Sequence, residues 1–397
     1  MKYCMRRWHV MTTMQFDAAF KVIDALQLAG YDAVVVGGAV RDTLLGVPVH
    51  DVDVATSATP KQTKTVFQKT VDIGIEHGTI LVLDMGEPIE VTTFRTEGTY
   101  ADHRRPDNVD FVTDLAEDLR RRDFTINAMA LRSKTDIVDL FGGQDDLAAH
   151  IVRAVGVAEE RFAEDALRML RAVRFSAKLN FDVEQQTYTA MKKRAADLRF
   201  IAIERIKAEF DQIVRSGQPY RAFQLLVDTG LSTYLPGSFQ TIEQWRGFKA
   251  QDSLTGWAFF SYLEQDVQLI SRYRGSNKEQ RFVKHVFQAL QTLKTAPTPR
   301  ELFDLDEVVW QAATMIANHV WQTNHTVEDI LATKAALPIQ QKNDLAVTGK
   351  EFLAWSGQKG GPWLKEALQQ LLNGVLDGTI LNDEQHIRGW FEREWKF

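Results

Sequence analysis

Strand-like patterning in this chain is confined to roughly its first 145 residues, and after Gly156 almost nothing but amphipathic helix follows. That asymmetry points to an α/β head with a mixed sheet carrying an all-helical body. In the head, Phe16, Ala19, Phe20, Ile23 and Leu26 fall at helical spacing within residues 15–29, and Gly30 suits the position just past a helix end. The short apolar run Ala33–Val36 reads as a buried strand entering Gly37-Gly38, and Val49–Ala55 alternates as a second strand. Thr59 and Pro60 carry the N-cap and first-turn preferences of a helix start. Ile80–Leu83 and Ile89–Phe94 read as further strands, a helical stretch runs from Asp114 through Arg122, and Ile137–Leu140 ends in Gly142-Gly143. Beyond the head, amphipathic stretches cover 159–179, 185–197, 203–215 and 218–229, broken at Gly217, Gly230 and Pro236-Gly237. Eight of the nine tryptophans lie at or beyond Trp245, so the C-terminal half builds its core from different material.

With 397 residues the chain exceeds one ordinary core, since domains run about 100–200 residues, and two to four are expected. It has no apolar run long enough for a membrane span. Arg6 and Arg7 are followed by no apolar segment, which argues against a secretory signal and for a cytoplasmic protein. The single cysteine, Cys4, excludes an internal disulfide and any multi-cysteine zinc site. A net charge of −6 speaks against nucleic acid only if the charge is evenly spread. It is not: arginines cluster at Arg95, Arg104 and Arg105, at Arg120–Arg122, and at Arg168, Arg171 and Arg174.

Four segments carry candidate chemistry. Gly37-Gly38-Ala39-Val40-Arg41-Asp42 follows a strand and opens a helix, where paired glycines let backbone approach a phosphate and Arg41 can clamp it; a plain strand-to-helix turn has the same pattern. No Gly-x4-Gly-Lys-[Ser/Thr] occurs, and Gly349-Lys350 has Asp344 where the first glycine should stand. In Asp51-Val52-Asp53 two carboxylates two apart on a strand share a face and can hold hard cations such as Mg²⁺. Asp304-Leu305-Asp306 repeats the spacing without an upstream Gly-Gly and reads as helix surface. Glu90 lies inside the apolar strand Ile89–Phe94, where a buried charge needs a partner, which makes it a third candidate acid. Arg121-Arg122-Asp123-Phe124-Thr125-Ile126-Asn127 groups residues able to hold triphosphate and ribose, or merely to end a helix in solvent. Finally, Glu164–Arg174 reads as part of one continuous helix with Ala166, Leu167, Leu170 and Val173 on a core stripe. Glu164, Arg168 and Arg171 face outward, and Asp165 sits at their edge. Ordinary i,i+4 pairing of Glu164 with Arg168 explains that row equally well.

Together and in this order, these segments resemble a known family. GGAVRDTLLGVPVHDVDVAT resembles the metal-binding motif of the poly(A) polymerase/tRNA nucleotidyltransferase branch of nucleotidyltransferases. RRDFTINAMA, DLFGGQDDL and EDALRMLRAVRF look like the motifs that follow in bacterial class II CCA-adding enzymes. IAIERIKAEFDQIV, LVDTGLSTYLPG and the late LAVTGKEFLAWSGQKGGPWLKEAL continue the similarity, while about 240–335 matches nothing quotable.

The resemblance implies a nucleotidyltransferase-type head over 1–145, a helical neck that reads the base over 146–240, a helical body over 241–335 and a tRNA-binding tail over 336–397. It implies Mg²⁺ on Asp51 and Asp53 with Glu90 beside them. Gly38, Arg41 and Arg122 would contact phosphates and sugar, with Asp123 and Asn127 adjacent. Asp165 and Arg168 would read the base, supported by Arg171 and Arg174. Cytosine and adenine both offer an amine beside a ring-nitrogen acceptor, which a carboxylate and a guanidinium match without a template. Residues 96–109 resemble the family's flexible loop, which favours complete CCA addition from CTP and ATP. No phosphohydrolase-type His-Asp domain is expected, since His50-Asp51 falls inside the strand motif. The alternatives are a bacterial poly(A) polymerase and an inactive RNA-binding protein on the same scaffold. The sequence leaves open whether the protein is a homodimer.

Overall fold

The computed structural model describes residues 14–49, 51–97 and 109–396, so Cys4, His50, Arg104, Arg105 and most of the 96–109 loop lie outside the described residues. The chain divides into two units, one ending at Ala250 and one beginning at Gln251.

The first unit opens with helix α1 (Met14–Leu28), whose Phe16, Ala19, Val22, Ile23 and Leu26 are buried. A seven-stranded mixed sheet follows: β1 (Ala33–Val36), β2 (Asp53–Thr56), β3 (Thr70–Gly74), β4 (Thr79–Val82) and β5 (Ile89–Thr93), then β8 (Met129–Leu131) and β9 (Ile137–Asp139). Between the two groups, β6 (Arg95–Glu97) and β7 (Val109–Phe111) pair as a separate ribbon. The sheet order is β3-β4-β5-β2-β1-β8-β9, with β2 and β5 parallel and the remaining pairs antiparallel. The interior strand β1 is buried along its whole length, as its unbroken apolar run requires. Val34, Val36, Ala55 and Ala130 join Phe94, Leu115 and Leu119 in one core cluster.

The edge strand β3 was not read from the sequence, although Val71, Asp72, Ile73 and Gly74 alternate; the run is short, and the structure leaves Val71, Asp72 and Ile73 all exposed. β8 is a three-residue strand, buried throughout and too short to separate from its apolar surroundings.

Helices α2 (Gly38–Leu45), α3 (Pro60–Val66), α4 (Leu115–Arg120) and α5 (Gly143–Ala149) decorate the sheet. Thr59 caps α3 in a reciprocal box with Gln62, as the Thr-Pro start predicted. Beyond the sheet come α6 (Ala158–Glu164), α7 (Leu167–Leu179), α8 (Gln185–Arg194), α9 (Ile203–Ile213) and α10 (Pro219–Asp228), which pack α6 on α8 and α7 on both α9 and α10.

Three expectations need correction. The stretch 159–179 is not one helix: Asp165 has extended backbone (φ −140°, ψ 103°) and separates α6 from α7. The cause is local competition, because the Asp165 carboxylate accepts the Leu167 N–H (3.0 Å) and starts the second helix. Strand β2 begins at Asp53, so Asp51 precedes it rather than lying within it. Asp304 and Asp306 lie at the break between the helices Pro299–Asp304 and Glu307–Trp321, where buried Leu305 anchors the turn, and not on one helix face.

The second unit is helical throughout its described residues, from Ser253–Leu263 to Glu384–Glu394. Its last part has its own core, in which Phe352, Leu371, Leu372, Val375, Ile387 and Phe391 are buried and Phe352 stacks on Phe391 at 4.6 Å. Among the described residues no helix is long and apolar enough to cross a membrane.

Candidate active site

A polar cleft of about 550 Å³ in the first unit gathers residues from six separate stretches of sequence. Its lining includes Gly37, Gly38 and Arg41 from the first turn of α2, Asp53 from β2, and Arg121, Arg122, Asp123 and Asn127 from the turns after α4. Asp165, Arg168, Arg171 and Arg174 come from the start and one face of α7. Ten of the twelve candidate residues therefore meet in one cleft; Asp51 and Glu90 are not in its lining.

Sheet register explains why the acids neighbour the glycine turn. Val36, the last residue of β1, pairs with Asp53, the first of β2, and Asp53 pairs in parallel with Glu90. Gly37 has φ +71°, which a side chain would strain, and a Cβ there would lie 3.0 Å from an Arg122 guanidinium nitrogen. Glycine is thus required by the backbone conformation, and it also lets the Arg122 guanidinium lie close against the turn.

Glu90 is exposed, with Ile89 and Val91 turned inward on either side. The expectation that it is buried fails on that alternation, and its claim rests on adjacency to Asp53 instead. Asp51 and Asp53 are both exposed and flank the buried Val52. Desolvation by the surrounding protein, and then Glu90, hold the Asp53 carboxyl above its ordinary value; Asp51 adds to this and Arg122 opposes it. No three acidic, histidine or cysteine side chains converge as a metal cage among the described residues.

A continuous ionic network builds the opposite wall. Arg41 donates to Asn127 Oδ1 (2.6 Å) and to Asp42 (2.8 Å), and Asn127 donates to Asp123 (3.1 Å). Arg171 Nε donates to Asp123 Oδ2 (2.7 Å), and Arg174 Nε donates to Glu209 of α9 (2.6 Å). The Phe175 ring lies against the guanidinium groups of Arg41, Arg171 and Arg174, at 5.1, 5.6 and 4.2 Å. Burial pushes the Asp123 carboxyl up, but Arg171, Asn127 and the Phe124 amide outweigh it and hold the group below its ordinary value. Asp118, fully buried, is likewise held down by Arg122 and Arg121 against its own desolvation.

The loop carrying Asp123 and Asn127 is clamped from behind. Thr125 Oγ1 donates to buried Asp146 (2.6 Å), and the Thr125 and Val155 amides bond Arg153 O and Asp123 O. Gly143 allows this, since a Cβ there would lie 2.4 Å from Thr125 O. The second Gly-Gly pair is a packing device rather than an anion loop.

At the far end, Asp165 receives Arg205 of α9 (2.7 Å). Arg168, only 7% exposed, donates to Glu164 (2.5 Å), Arg161 O (3.2 Å) and Arg121 O (3.0 Å). Both the i,i+4 pair and placement in the cleft are therefore real. Sequence reasoning missed Arg205 and Lys178 as cleft residues. Arg205 sits in IAIERIKAEF, where the pattern shows helix and no partner, and Lys178 ends α7 beyond the quoted motif.

These contacts set an expectation. Asp123→Asn should destabilise the protein by about 2 kcal/mol at pH 7, because it leaves the partly exposed Arg171 guanidinium without the charge of its buried carboxylate partner. A depressed carboxyl contributes stability above its unfolded value of 3.8 and loses it as pH falls through the lower folded value. The gap between wild type and variant should therefore close below about pH 4, read by thermal melts across pH.

Residues 33–153 match the Poly A polymerase head domain, and 248–391 match tRNA nucleotidyltransferase domain 2. The CCA-adding enzyme of Latilactobacillus sakei is 41% identical over 382 residues, covering 93% of this chain and 95% of its own. This chain belongs to the CCA-adding enzyme family. The Bacillus cytotoxicus member is 38% identical over 395 residues, covering 95% and 98% of the two chains. Among solved members of the family, the Bacillus stearothermophilus CCA-adding enzyme in complex with CTP superposes with a TM-score of 0.85 at 35% identity, covering 96% of this chain and 98% of that one. The family expected from the motifs and its α/β head with a helical remainder are both borne out.

Proposed function

We propose that this protein adds the CCA terminus to tRNA 3′ ends from CTP and ATP, without a template, in the cleft between Gly37-Gly38 and α7. The observation that carries this reading is one cleft holding an acid at its β-sheet end and a carboxylate–guanidinium pair, Asp165 and Arg168, at the other. It is supported by similarity along nearly the whole chain to enzymes named for that reaction. The tRNA 3′-hydroxyl displaces pyrophosphate from the α-phosphate of the bound nucleotide. Arg41 and Arg122 hold phosphates and sugar beside the Gly37-Gly38 turn, and the Asp123–Asn127 pair fixes Arg41 and Arg171. Asp165 accepts the exocyclic amine shared by cytosine and adenine, and Arg168 donates to the adjacent ring nitrogen. Uracil and guanine would face Asp165 with a carbonyl oxygen.

The reaction depends on a divalent cation, and we assign Mg²⁺ to Asp51 and Asp53, with Glu90 beside them. The donor set fits: all are carboxylate oxygens, and the Asp53 carboxyl is crowded by negative charge that a cation would neutralise. Three protein ligands are not required, because Mg²⁺ keeps waters and shares substrate phosphates. When bound, it would draw charge from the reacting phosphate. The four-part division at 1–145, 146–240, 241–335 and 336–397 and a cytoplasmic location complete the reading.

A poly(A) polymerase would differ in one readout. With ATP alone and a tRNA lacking its terminal CCA, a long ladder of products would favour poly(A) synthesis, whereas this reading expects no ladder.

In the tail, Lys350, Lys359 and Lys365 are exposed beside the glycines at 349, 357 and 360–361. We assign them to phosphates of the tRNA body. Replacing all three by Ala should leave the fold intact and reduce the salt slope of tRNA binding by about 0.9 per lost contact. An unchanged slope would assign the tail another role.

A further inference from the structure

Among the described residues nine basic side chains line the cleft, and eight of them bond protein groups. Arg41 bonds Asn127, Arg95 bonds His77 O, and Arg121 and Arg122 bond Asp118. Arg168 bonds Glu164, Arg171 bonds Asp123, Arg174 bonds Glu209 and Arg205 bonds Asp165. Among the described residues only the ninth, Lys178, has no hydrogen-bond or ion-pair partner. It ends α7, ten residues and therefore about 15 Å along the helix from Arg168, on the same cleft-lining face.

A lysine in a last helical turn is favoured by the helix dipole alone. That does not account for its place in the cleft wall among other cations. The protein around it, and then Arg41, with Arg174 and Arg215, push its ammonium below the ordinary lysine value, while Asp42 opposes them. A cation kept among cations, in a cleft whose other bases each bond a protein group, is matched by a polyanion that enters from solvent.

Building on the function proposed above, we propose that Lys178 is the binding residue for the terminal phosphates of the incoming nucleotide and for the pyrophosphate that leaves. With the base at Asp165 and Arg168, a nucleoside triphosphate laid along α7 brings its terminal phosphates toward Gly38, Arg41 and Lys178. Lys178 exchanges no proton in this role. It adds charge where the nucleotide is most negative, and it is blind to the base.

The test is the binding of CTP, CMP and inorganic pyrophosphate to wild type, Lys178→Ala and Lys178→Arg, by titration calorimetry. Lys178→Ala should weaken CTP and pyrophosphate about tenfold, the loss of one charge-assisted hydrogen bond, and leave CMP unchanged. Lys178→Arg should stay near wild type. Kinetically, the KM values for CTP and ATP should rise by the same factor, so the ratio between the two nucleotides holds. Equal weakening of CTP and CMP, or no weakening of either CTP or pyrophosphate, would overturn the assignment. Because Lys178 is exposed, the variants should melt like wild type, which removes misfolding as an explanation. Wild-type protein that binds no CTP at all would instead count against the proposed function.

Discussion

Asp51→Ala and Asp53→Ala should each reduce incorporation of both CMP and AMP by about a thousandfold or more, since a cation on a reacting phosphate contributes several kcal/mol. The two residues flank buried Val52 at the start of β2, and both side chains are exposed, so neither substitution removes core packing. Thermal stability should hold or rise slightly, because Asp53 loses repulsion from Glu90 and Asp51 in the metal-free protein. Binding of tRNA should also persist. Glu90→Gln should fall between wild type and these variants, as befits an acid beside the pair rather than in it. Robust activity in the Asp51/Asp53 double variant would remove the metal assignment.

Asp165→Ala should impair use of CTP and ATP and lower discrimination against UTP by about ten- to a hundredfold, the range for one hydrogen bond to a charged group. The structure complicates the readout in a useful way. Asp165 also caps α7 through the Leu167 amide and pairs with Arg205, so the Ala variant should lose about 1 kcal/mol of stability from the cap alone. Asp165→Ser separates the roles. Serine caps well but carries no charge, so it should keep most of the stability and still lose selectivity. The deciding quantity is the ratio of kcat/KM for CTP to that for UTP. If the ratio is unchanged in both variants, Asp165 is a capping residue and nothing more.

Where the fold was legible in the sequence, one physical signal dominated each element. Phe16 to Leu26 showed helix period, Ala33–Val36 showed a buried strand, and Thr59-Pro60 showed a cap; all three stand in the structure. The β3 edge went unread although Val71, Asp72 and Ile73 alternate, because so short a run, exposed on both faces, stands out little from a loop. The break at Asp165 stayed hidden because the flanking residues all favour helix, and only the carboxylate's bond to the Leu167 amide interrupts it. In the cleft, motif residues could be named because their types fit phosphate and base chemistry. Arg205 and Lys178 could not, since what marks them is position: one faces Asp165 from α9, and the other lines the cleft without an ion-pair partner. Glu90 was chosen for a burial it does not have, yet the parallel pairing of β2 with β5 sets it beside Asp53. Register, unlike composition, is not written in either strand alone.

The central claim is that this cleft selects cytosine and then adenine without a template and stops. It is tested most directly by incubating the protein with CTP, ATP and a divalent cation on a tRNA lacking its three terminal nucleotides, then sequencing the 3′ ends. The account predicts that C, C and A are added in that order and growth halts, with CTP alone giving two additions. A homopolymer tail, or incorporation of UTP as readily as CTP, would contradict it.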